Sequence, residues 1–306
     1  MNQEEVREEA AENVIEIKNL TKRYDGFSIE NMNLAVKSGC IHGFIGQNGA
    51  GKTTTISAIL NMLNLQGGNI QVFGKDISKA EREIKEDIGV VFDEMGFHEY
   101  MTPVQIDLMM KYVYRNWESE TFEKYLERFG LPKKRACGKF SRGMRMKLQI
   151  AAALSHKAKL LILDEPTSGL DPVVRNEVLD IFQEFMEDEE HSIFMSSHII
   201  SDLDRIADEI TFIDKGKVLL SGNKDEILSC HGILKCKKTE QEQIAKEDIV
   251  DAQSSAYGYE ALVSDRKKCT KKYAGMLIEP ASLEEIMLFY IGRENKRLKE
   301  GKEVVL

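Results

Sequence analysis

The sequence lacks any apolar run long enough to cross a membrane. Stretches such as Ala151–Leu154 and Leu160–Leu163 are only a few residues long, whereas a membrane helix needs about 20. The N-terminal segment, residues 1–13, is acidic and has no apolar region, so we expect no signal peptide. The chain by itself is therefore not predicted to cross a bilayer.

Cysteine is scarce, and its spacing shows no pairing pattern. The five cysteines are an odd number without a CxxC pair; they are Cys40, Cys137, Cys230, Cys236 and Cys269. We expect reduced thiols in a reducing compartment such as the cytoplasm. Cys230, His231 and Cys236 are close in sequence, but a zinc site needs a fourth ligand at suitable spacing, so we expect no metal there.

Basic residues are too few for a general nucleic-acid binder. Lys and Arg number 42 against 51 Asp and Glu, which gives a formal charge of −9. Affinity for nucleic acid depends on basic side chains that neutralise phosphates, so we expect no nucleic-acid partner. With 306 residues, 42% of them hydrophobic, the chain can form about two domains with packed cores.

The order of predicted strands and helices indicates an α/β fold. Residues 14–36 are typical of an antiparallel ribbon with a turn at Asp25-Gly26. Between about residues 160 and 220, short apolar strands alternate with helices, which predicts a parallel sheet with helical crossovers. Residues 93–155 carry helical signals alone, among them a capping box at Thr102-Pro103-Val104-Gln105 whose helix should end near Trp117.

The composition changes after about residue 229, where Lys, Glu and Gln become frequent and periodicity is weak. A capping box at Ser282-Leu283-Glu284-Glu285 predicts a final helix that reaches about Ile291. We therefore expect an acidic tail at residues 1–13 and a main domain at 14–228 with a helical subdomain at about 93–155. A small α+β extension should follow at 229–306.

A glycine-rich motif marks the first candidate site. Gly46-Gln47-Asn48-Gly49-Ala50-Gly51-Lys52-Thr53 matches GxxxxGK[ST] and lies between a predicted strand and a predicted helix. Its backbone amides and the helix N-terminus can bind phosphate oxygens. We expect Lys52 to reach the β- and γ-phosphates, the Thr53 hydroxyl to bind Mg²⁺, and Thr54 to belong to the same nucleotide-binding set. A glycine-rich turn without a ligand is the alternative.

A predicted buried strand followed by two acidic residues marks the second candidate site. Leu160-Leu161-Ile162-Leu163 is uncharged and leads directly into Asp164 and Glu165. Charges at the carboxyl end of a parallel strand lie at the edge where ligands bind. We expect Asp164 to hold the metal through water and Glu165 to polarise the attacking water. Two acids that merely begin a solvated loop are the alternative for this segment taken alone.

These motifs, together with Ser168-Gly169-Leu170-Asp171 and His198, resemble in order and spacing those of the ATP-binding subunits of ABC transporters. The resemblance covers about residues 14–225. It implies a P-loop NTPase core with an antiparallel β-subdomain, an inserted α-helical subdomain, and hydrolysis of ATP with Mg²⁺. It also implies that His198 contacts the γ-phosphate, that Asp171 lies at the nucleotide, and that Tyr24 stacks on adenine, as aromatic side chains do on bases.

Two segments depart from the family pattern. Where the family usually has LSGGQ, this chain has Phe140-Ser141-Arg142-Gly143-Met144. Ser141 can still cap a helix whose exposed amides bind an anion, and the resemblance implies that Ser141, Arg142 and Gly143 cover the ATP of a second subunit. An ordinary capped helix is the alternative. Asp93 replaces the usual Gln after its strand and can still ligate Mg²⁺.

The resemblance implies two protein partners and a cellular location. Two chains, this one and a second copy or a paralogue, should pair head-to-tail around two ATP molecules. A separate transmembrane permease should dock near Phe97 and Tyr100, where Met and aromatic side chains suit an adaptable groove, although many of them could instead fill the core of the helical insertion. The chain is then expected in the cytoplasm, attached to the inner face of the membrane through the permease.

The expected function is ATP hydrolysis that powers transport. The departures at Asp93 and at 140–144 are similar to a branch of ABC-2-type ATPases that includes antibiotic and multidrug exporters, so export of a drug, antibiotic or peptide is expected. A regulatory or sensory ABC ATPase, with the C-terminal extension as sensor or dimer contact, is the alternative. The sequence does not indicate the substrate.

Overall fold

The structure, a computed structural model, describes residues 13–254 and 258–303, with side chains as far as residue 297. The predicted acidic tail, apart from its last residue, lies outside the described residues. The strands are β1 (Asn13–Tyr24), β2 (Phe27–Lys37), β3 (Ile41–Ile45), β4 (Gly67–Val72), β5 (Lys75–Asp76), β6 (Ile88–Val91), β7 (Leu160–Asp164), β8 (Ser192–Ser197), β9 (Glu209–Asp214), β10 (Lys217–Asn223), β11 (Gly232–Cys236), β12 (Ile249–Ser254), β13 (Tyr259–Val263) and β14 (Leu277–Pro280). The α-helices are α1 (Lys52–Ile59), α2 (Ile77–Glu86), α3 (Pro103–Val113), α4 (Ser119–Arg128), α5 (Arg142–Ala153), α6 (Pro172–Phe185), α7 (Ile200–Ile206), α8 (Lys224–Cys230), α9 (Arg266–Lys272) and α10 (Leu283–Glu303).

The N-terminal strands form an antiparallel sheet in the order β2-β1-β4-β5. A tight turn at Asp25-Gly26 joins β1 to β2, and Gly26 has a φ of 82° that favours glycine there. Tyr24 and Phe27 face each other across this turn. The predicted ribbon is therefore confirmed.

The central sheet has six strands in the order β10-β9-β3-β8-β7-β6. All neighbouring strands in it are parallel except β10, which runs antiparallel to β9. Because β3, β7 and β8 are adjacent and parallel, their carboxyl ends meet at one edge of the sheet. Residues 46, 165 and 198, which follow these strands, are thus brought to the edge where open α/β sheets bind ligands.

The strand β7 is buried on both faces. Leu161 and Leu163 belong to the apolar cluster that includes α5 and α6, whereas Leu160 and Ile162 belong to the cluster on the side of β1 and β2. Each fully buried side chain of this kind stabilises the fold by roughly 1.5–3 kcal/mol. This packing explains why the strand is uncharged until Asp164.

The helical insertion consists of α3, α4 and α5. The predicted capping box is confirmed, since Thr102 Oγ1 accepts from the Gln105 backbone N–H and the Gln105 side chain accepts from the Thr102 N–H. The predicted extension of α3 to Trp117 is wrong. Tyr114 has an extended backbone, and the Trp117 indole N–H turns back to donate to Asp107 at 2.8 Å.

The C-terminal extension has its own antiparallel sheet in the order β12-β13-β11-β14, packed with α9 and α10. Its capping box is confirmed, because Ser282 and Glu285 bond reciprocally. The predicted end of the last helix near Ile291 is wrong, since α10 continues to Glu303. Ion pairs hold the additional turns: Glu294 with Lys217 at 2.6 Å, and Lys296 with Asp251 at 2.6 Å.

Candidate active site

The loop between β3 and α1 is shaped for close backbone approach. Gly49 and Gly51 have φ values of 80° and 112°, which side chains disfavour. At Gly46, a Cβ atom would lie 2.6 Å from the carbonyl oxygen of Ile213 on β9, so only glycine fits. The loop ends at the N-terminus of α1, whose first amides have no partner within the helix and can bind an anion.

Lys52 connects this loop to the acidic end of β7. Its ammonium donates to the carbonyl oxygens of Gly46 at 2.7 Å and Gln47 at 3.2 Å. It also lies 3.1 Å from Glu165 Oε1, and both side chains are buried. The lysine is thus fixed over the loop with its charge balanced by a carboxylate.

Thr53 and Asp164 provide oxygen atoms side by side. The Thr53 hydroxyl donates to Asp164 Oδ2 at 2.8 Å, and the Ser196 hydroxyl donates to Asp164 Oδ1 at 2.6 Å. Hydroxyl and carboxylate oxygens are the ligands that Mg²⁺ prefers. The pair is therefore suited to a magnesium ion next to the loop.

Glu165 is held in an unusual backbone conformation. Its φ is 51°, in the left-handed region that costs a non-glycine residue about 1–3 kcal/mol. The backbone N–H of Glu165 donates to both oxygens of Ser196, at 3.1 Å to the hydroxyl and 3.2 Å to the carbonyl. Strain held by neighbouring hydrogen bonds is typical of a functional residue.

His198 completes this group. Its Nδ1 lies 2.6 Å from Glu165 Oε2, and its backbone N–H donates to the same oxygen at 3.3 Å. Glu165 therefore contacts Lys52 with one carboxylate oxygen and His198 with the other. The structure thus brings together Lys52, Thr53, Asp164, Glu165 and His198.

Tyr24 lies at the end of the β1–β2 hairpin, and its side chain is exposed. The Lys22 ammonium lies 4.9 Å from the centre of its ring. Phe27, the residue paired with Tyr24, packs beside the phosphate loop, because a Cβ at Gly51 would lie 3.0 Å from the Phe27 ring. The hairpin therefore presents an exposed aromatic side chain near the loop.

The residues at the start of α5 form a second, separate cluster. Ser141 caps the helix, as its hydroxyl accepts from the Met144 N–H at 3.3 Å. Arg142 forms an ion pair with Asp93, and Gly143 packs near Val174. Among the described residues, no ion pair or side-chain hydrogen bond joins Ser141, Arg142 or Asp93 to the Lys52–Glu165 group.

Asp171 has a structural role in this conformation. It is the N-cap of α6, and its Oδ1 accepts from the backbone N–H groups of Val173 and Val174, both at 3.1 Å. A contact between Asp171 and nucleotide stays a prediction.

Comparisons with known proteins identify the family. The family model for ABC transporters matches residues 29–168. The bacitracin transport ATP-binding protein BcrA of Bacillus licheniformis is 38% identical over 209 residues, which cover 67% of this chain and 68% of the relative. The daunorubicin/doxorubicin resistance ATP-binding protein DrrA of Streptomyces peucetius is 34% identical over 224 residues, which cover 71% of this chain and 68% of the relative. The chain belongs to the ABC transporter ATP-binding proteins.

Solved structures give the same family fold. An ATP-binding subunit of an ABC transporter superposes with a TM-score of 0.62 at 25% identity, covering 70% of this chain and 91% of the other. A dimeric ATP-binding cassette with bound ADP and phosphate has a TM-score of 0.61 at 20% identity, covering 68% of this chain and 98% of the other. At this identity the likeness shows the fold alone. The predicted P-loop α/β fold and the predicted ATPase class are confirmed.

As an ABC ATP-binding subunit, the chain binds and hydrolyses ATP. The aligned regions of these two relatives cover 67% and 71% of this chain. No helix in the described part of the chain is both long and apolar enough to span a membrane.

Sequence reasoning missed two residues that organise this ABC ATPase site. Ser196 holds both Asp164 and the Glu165 backbone, and its position at the carboxyl end of β8 could have indicated it. Gln149, buried on α5, donates its amide to the Phe92 carbonyl at 3.1 Å and accepts from the Phe92 N–H at 3.4 Å. A polar residue inside a helix gives no sequence signal for the loop that it will bind.

Proposed function

We propose that this chain hydrolyses Mg²⁺-bound ATP to drive export of an antibiotic, peptide or other drug through a separate permease. The observation that carries the hydrolytic part is the direct contact of Glu165 with both Lys52 and His198 at the mouth of the phosphate loop. The transport part is supported by relatives whose names refer to bacitracin transport and daunorubicin/doxorubicin resistance.

In this proposal, Lys52 and the amides of residues 46–53 bind the β- and γ-phosphates. Thr53 and Asp164 hold magnesium, which supplies neutralising charge to the phosphates when bound. Ser196 keeps the Asp164 carboxylate in place for this role. Tyr24 offers its exposed ring to the adenine.

Glu165 acts as the general base. Its carboxylate accepts a proton from the water that attacks the γ-phosphorus, as the bond to the leaving ADP oxygen breaks. His198 holds the other carboxylate oxygen and turns towards the γ-phosphate. Because the carboxylate is buried between two nitrogen donors, its orientation is fixed before ATP binds.

A second copy or a paralogue pairs head-to-tail with this chain and places the α5 N-terminus over its partner's ATP. Ser141 and Arg142, at this end of the helix, are exposed, which supports contact with a second molecule. Residues 14–228 form the nucleotide-binding domain, including the helical subdomain at about 93–155. Residues 229–306 form the C-terminal extension, whose own sheet supports this division.

The permease docks on the helical insertion, and the chain thereby sits on the cytoplasmic face of the membrane. Several large apolar side chains are exposed there; they are Tyr100, Val104, Leu108, Met109, Tyr112 and Val113. Their neighbours Met95, Phe97, Met101 and Met110 are partly buried against the core and partly open to solvent. An exposed patch of this kind marks an interaction site.

Co-expression with a permease tests the proposal. ATPase activity should rise when the permease is present, and Phe97→Ala and Tyr100→Ala should reduce that stimulation while basal ATP binding is kept. Glu99→Gln, a change at an exposed neighbour without an apolar surface, serves as control. Equal permease binding by the wild type and both alanine variants would contradict the docking site, and drug export without ATP consumption would contradict the function.

A further inference from the structure

Asp93 and Arg142 form a one-to-one ion pair at the start of α5. Asp93 Oδ1 lies 2.5 Å from Arg142 Nη2. In the described part of the chain, neither side chain has a second ion-pair partner. Asp93 comes two residues after β6, and Arg142 is the first residue of α5. The pair therefore joins the loop after β6 to the helical insertion.

The guanidinium also packs on the loop that follows β7. A Cβ at Gly169 would lie 2.8 Å from Arg142 Nη1, 2.9 Å from Cζ and 3.2 Å from Nε. Gly169 has a φ of 66°, a conformation that favours glycine, and its lack of a side chain leaves room for the guanidinium. The Arg142 guanidinium therefore lies between the Asp93 carboxylate and the backbone at Gly169. These contacts favour one side-chain conformation over the many that a free arginine would adopt.

The backbone next to Asp93 is fixed to the same helix. Gln149, two turns after Arg142 on α5, makes two hydrogen bonds with the Phe92 backbone. The Gln149 side chain is buried, and the two bonds are partly buried. The loop therefore cannot easily move away from α5, and the short Asp93 side chain stays within reach of Arg142.

Electrostatics give a reason for the pair. The first turn of α5 contains Arg142 and Arg145 but no acidic residue. Cations near a helix N-terminus are opposed by the positive end of the macrodipole. A carboxylate brought from another loop offsets this repulsion, and Asp93 supplies it.

We propose that Asp93 is a positioning residue that acts through Arg142, and that the pair directs the guanidinium towards the phosphates at the dimer interface. The inference rests on the proposed head-to-tail dimer. It assigns Asp93 a role other than the predicted metal ligand. Magnesium would then depend on Thr53 and Asp164 alone among the predicted side chains, consistent with their direct 2.8 Å contact.

ATP-dependent dimerisation of variants with the Glu165→Gln change tests the inference, because hydrolysis does not then consume the bound ATP. Asp93→Asn and Arg142→Gln should each raise the ATP concentration for half-maximal dimerisation about fivefold, which is the upper end of the range for one half-exposed ion pair. The double variant should also require about five times the ATP concentration for half-maximal dimerisation. Light scattering measures the dimer, and thermal unfolding of each variant verifies that it is folded.

A magnesium titration at saturating ATP provides the second arm. The magnesium concentration for half-maximal dimerisation should not change in Asp93→Asn. Glu94→Gln, at an exposed acid without an ion pair among the described residues, is the matched control and should shift neither titration.

Three outcomes would overturn the inference. Multiplication of the two single effects to about 25-fold in the double variant would show that the residues act independently. A raised magnesium requirement in Asp93→Asn would make it a metal ligand. Absence of any ATP-dependent dimer in the parent Glu165→Gln chain would overturn the proposed dimer together with this inference, whereas the first two outcomes leave the dimer intact.

Discussion

The two halves of the site hold their charges in different ways. Around the phosphate loop, the side chains of Lys52 and Glu165 are only 5% and 11% exposed. At the start of α5, the side chains of Arg142 and Asp93 are 50% and 46% exposed. The first group is therefore assembled within one folded chain, whereas the second remains open to solvent and to another molecule.

This difference indicates how each half responds to change. Removing one partner of a buried ion pair leaves an uncompensated charge and is strongly unfavourable. Removing one partner of an exposed pair changes the free energy by about 1 kcal/mol or less. We therefore expect large effects at the phosphate loop and small, coupled effects at α5.

The strongest way to sharpen the comparison is Lys52→Ala. The change removes the charge from the loop and leaves Glu165 buried without its cation, so ATP affinity should fall about 100-fold or more. Equilibrium binding of a fluorescent ATP analogue measures this. Lys75→Ala, which breaks an exposed pair with Glu83, should leave ATP affinity unchanged. Similar losses of ATP affinity in both variants would contradict the distinction between buried and exposed ion pairs.

Ser196→Ala should have an intermediate effect. The loss of hydrogen bonds to Asp164 and to the Glu165 N–H should lower the rate of hydrolysis about tenfold, as expected for one hydrogen bond to a charged group. Steady-state ATPase assays measure this rate. Ser192→Ala, at the opposite end of the same strand, serves as control. An equal loss of hydrolysis rate in Ser192→Ala would show that the effect comes from the packing of β8.

A buried carboxylate outside the site provides a test of stability alone. Asp248 accepts from Lys268, Lys272 and Tyr273, which holds its pKa well below the usual range. Asp248→Ala should lower the midpoint of thermal unfolding without changing ATP affinity. Glu279→Gln, in an exposed pair with Lys235, should lower it much less. A loss of ATP affinity in Asp248→Ala would show that the extension acts on the site.

A pH-dependent effect on stability is expected from titration of His42. Burial lowers its pKa to about 4, from 6.5 in the unfolded chain. Below pH 6.5 the unfolded chain therefore binds a proton that the folded chain does not, so stability falls as the pH decreases towards 4, by up to about 1.4 kcal/mol per pH unit. Urea unfolding at several pH values measures the free energy of unfolding, which should decrease less steeply with falling pH in His42→Gln than in the wild type. The same pH dependence in both proteins would contradict the assignment of this effect to His42.

The predictable parts of the molecule are those that local sequence determines. The phosphate loop depends on glycines and a helix start, and β7 depends on an uncharged run, so residues 46–53, 164 and 165 could be located. The Asp93–Arg142 pair joins residues that are distant in sequence, and no pattern specifies such a contact. The strands β11 to β14 are short and only partly alternate, so the C-terminal sheet could not be derived.

Glu165→Gln is the most direct test of the central claim, that the carboxylate between Lys52 and His198 activates the attacking water. The variant should bind ATP with about the wild-type affinity, while its rate of hydrolysis should fall by about 10²–10⁴. Binding and single-turnover hydrolysis measured on the same preparation would give both values. Hydrolysis at the wild-type rate would contradict the account.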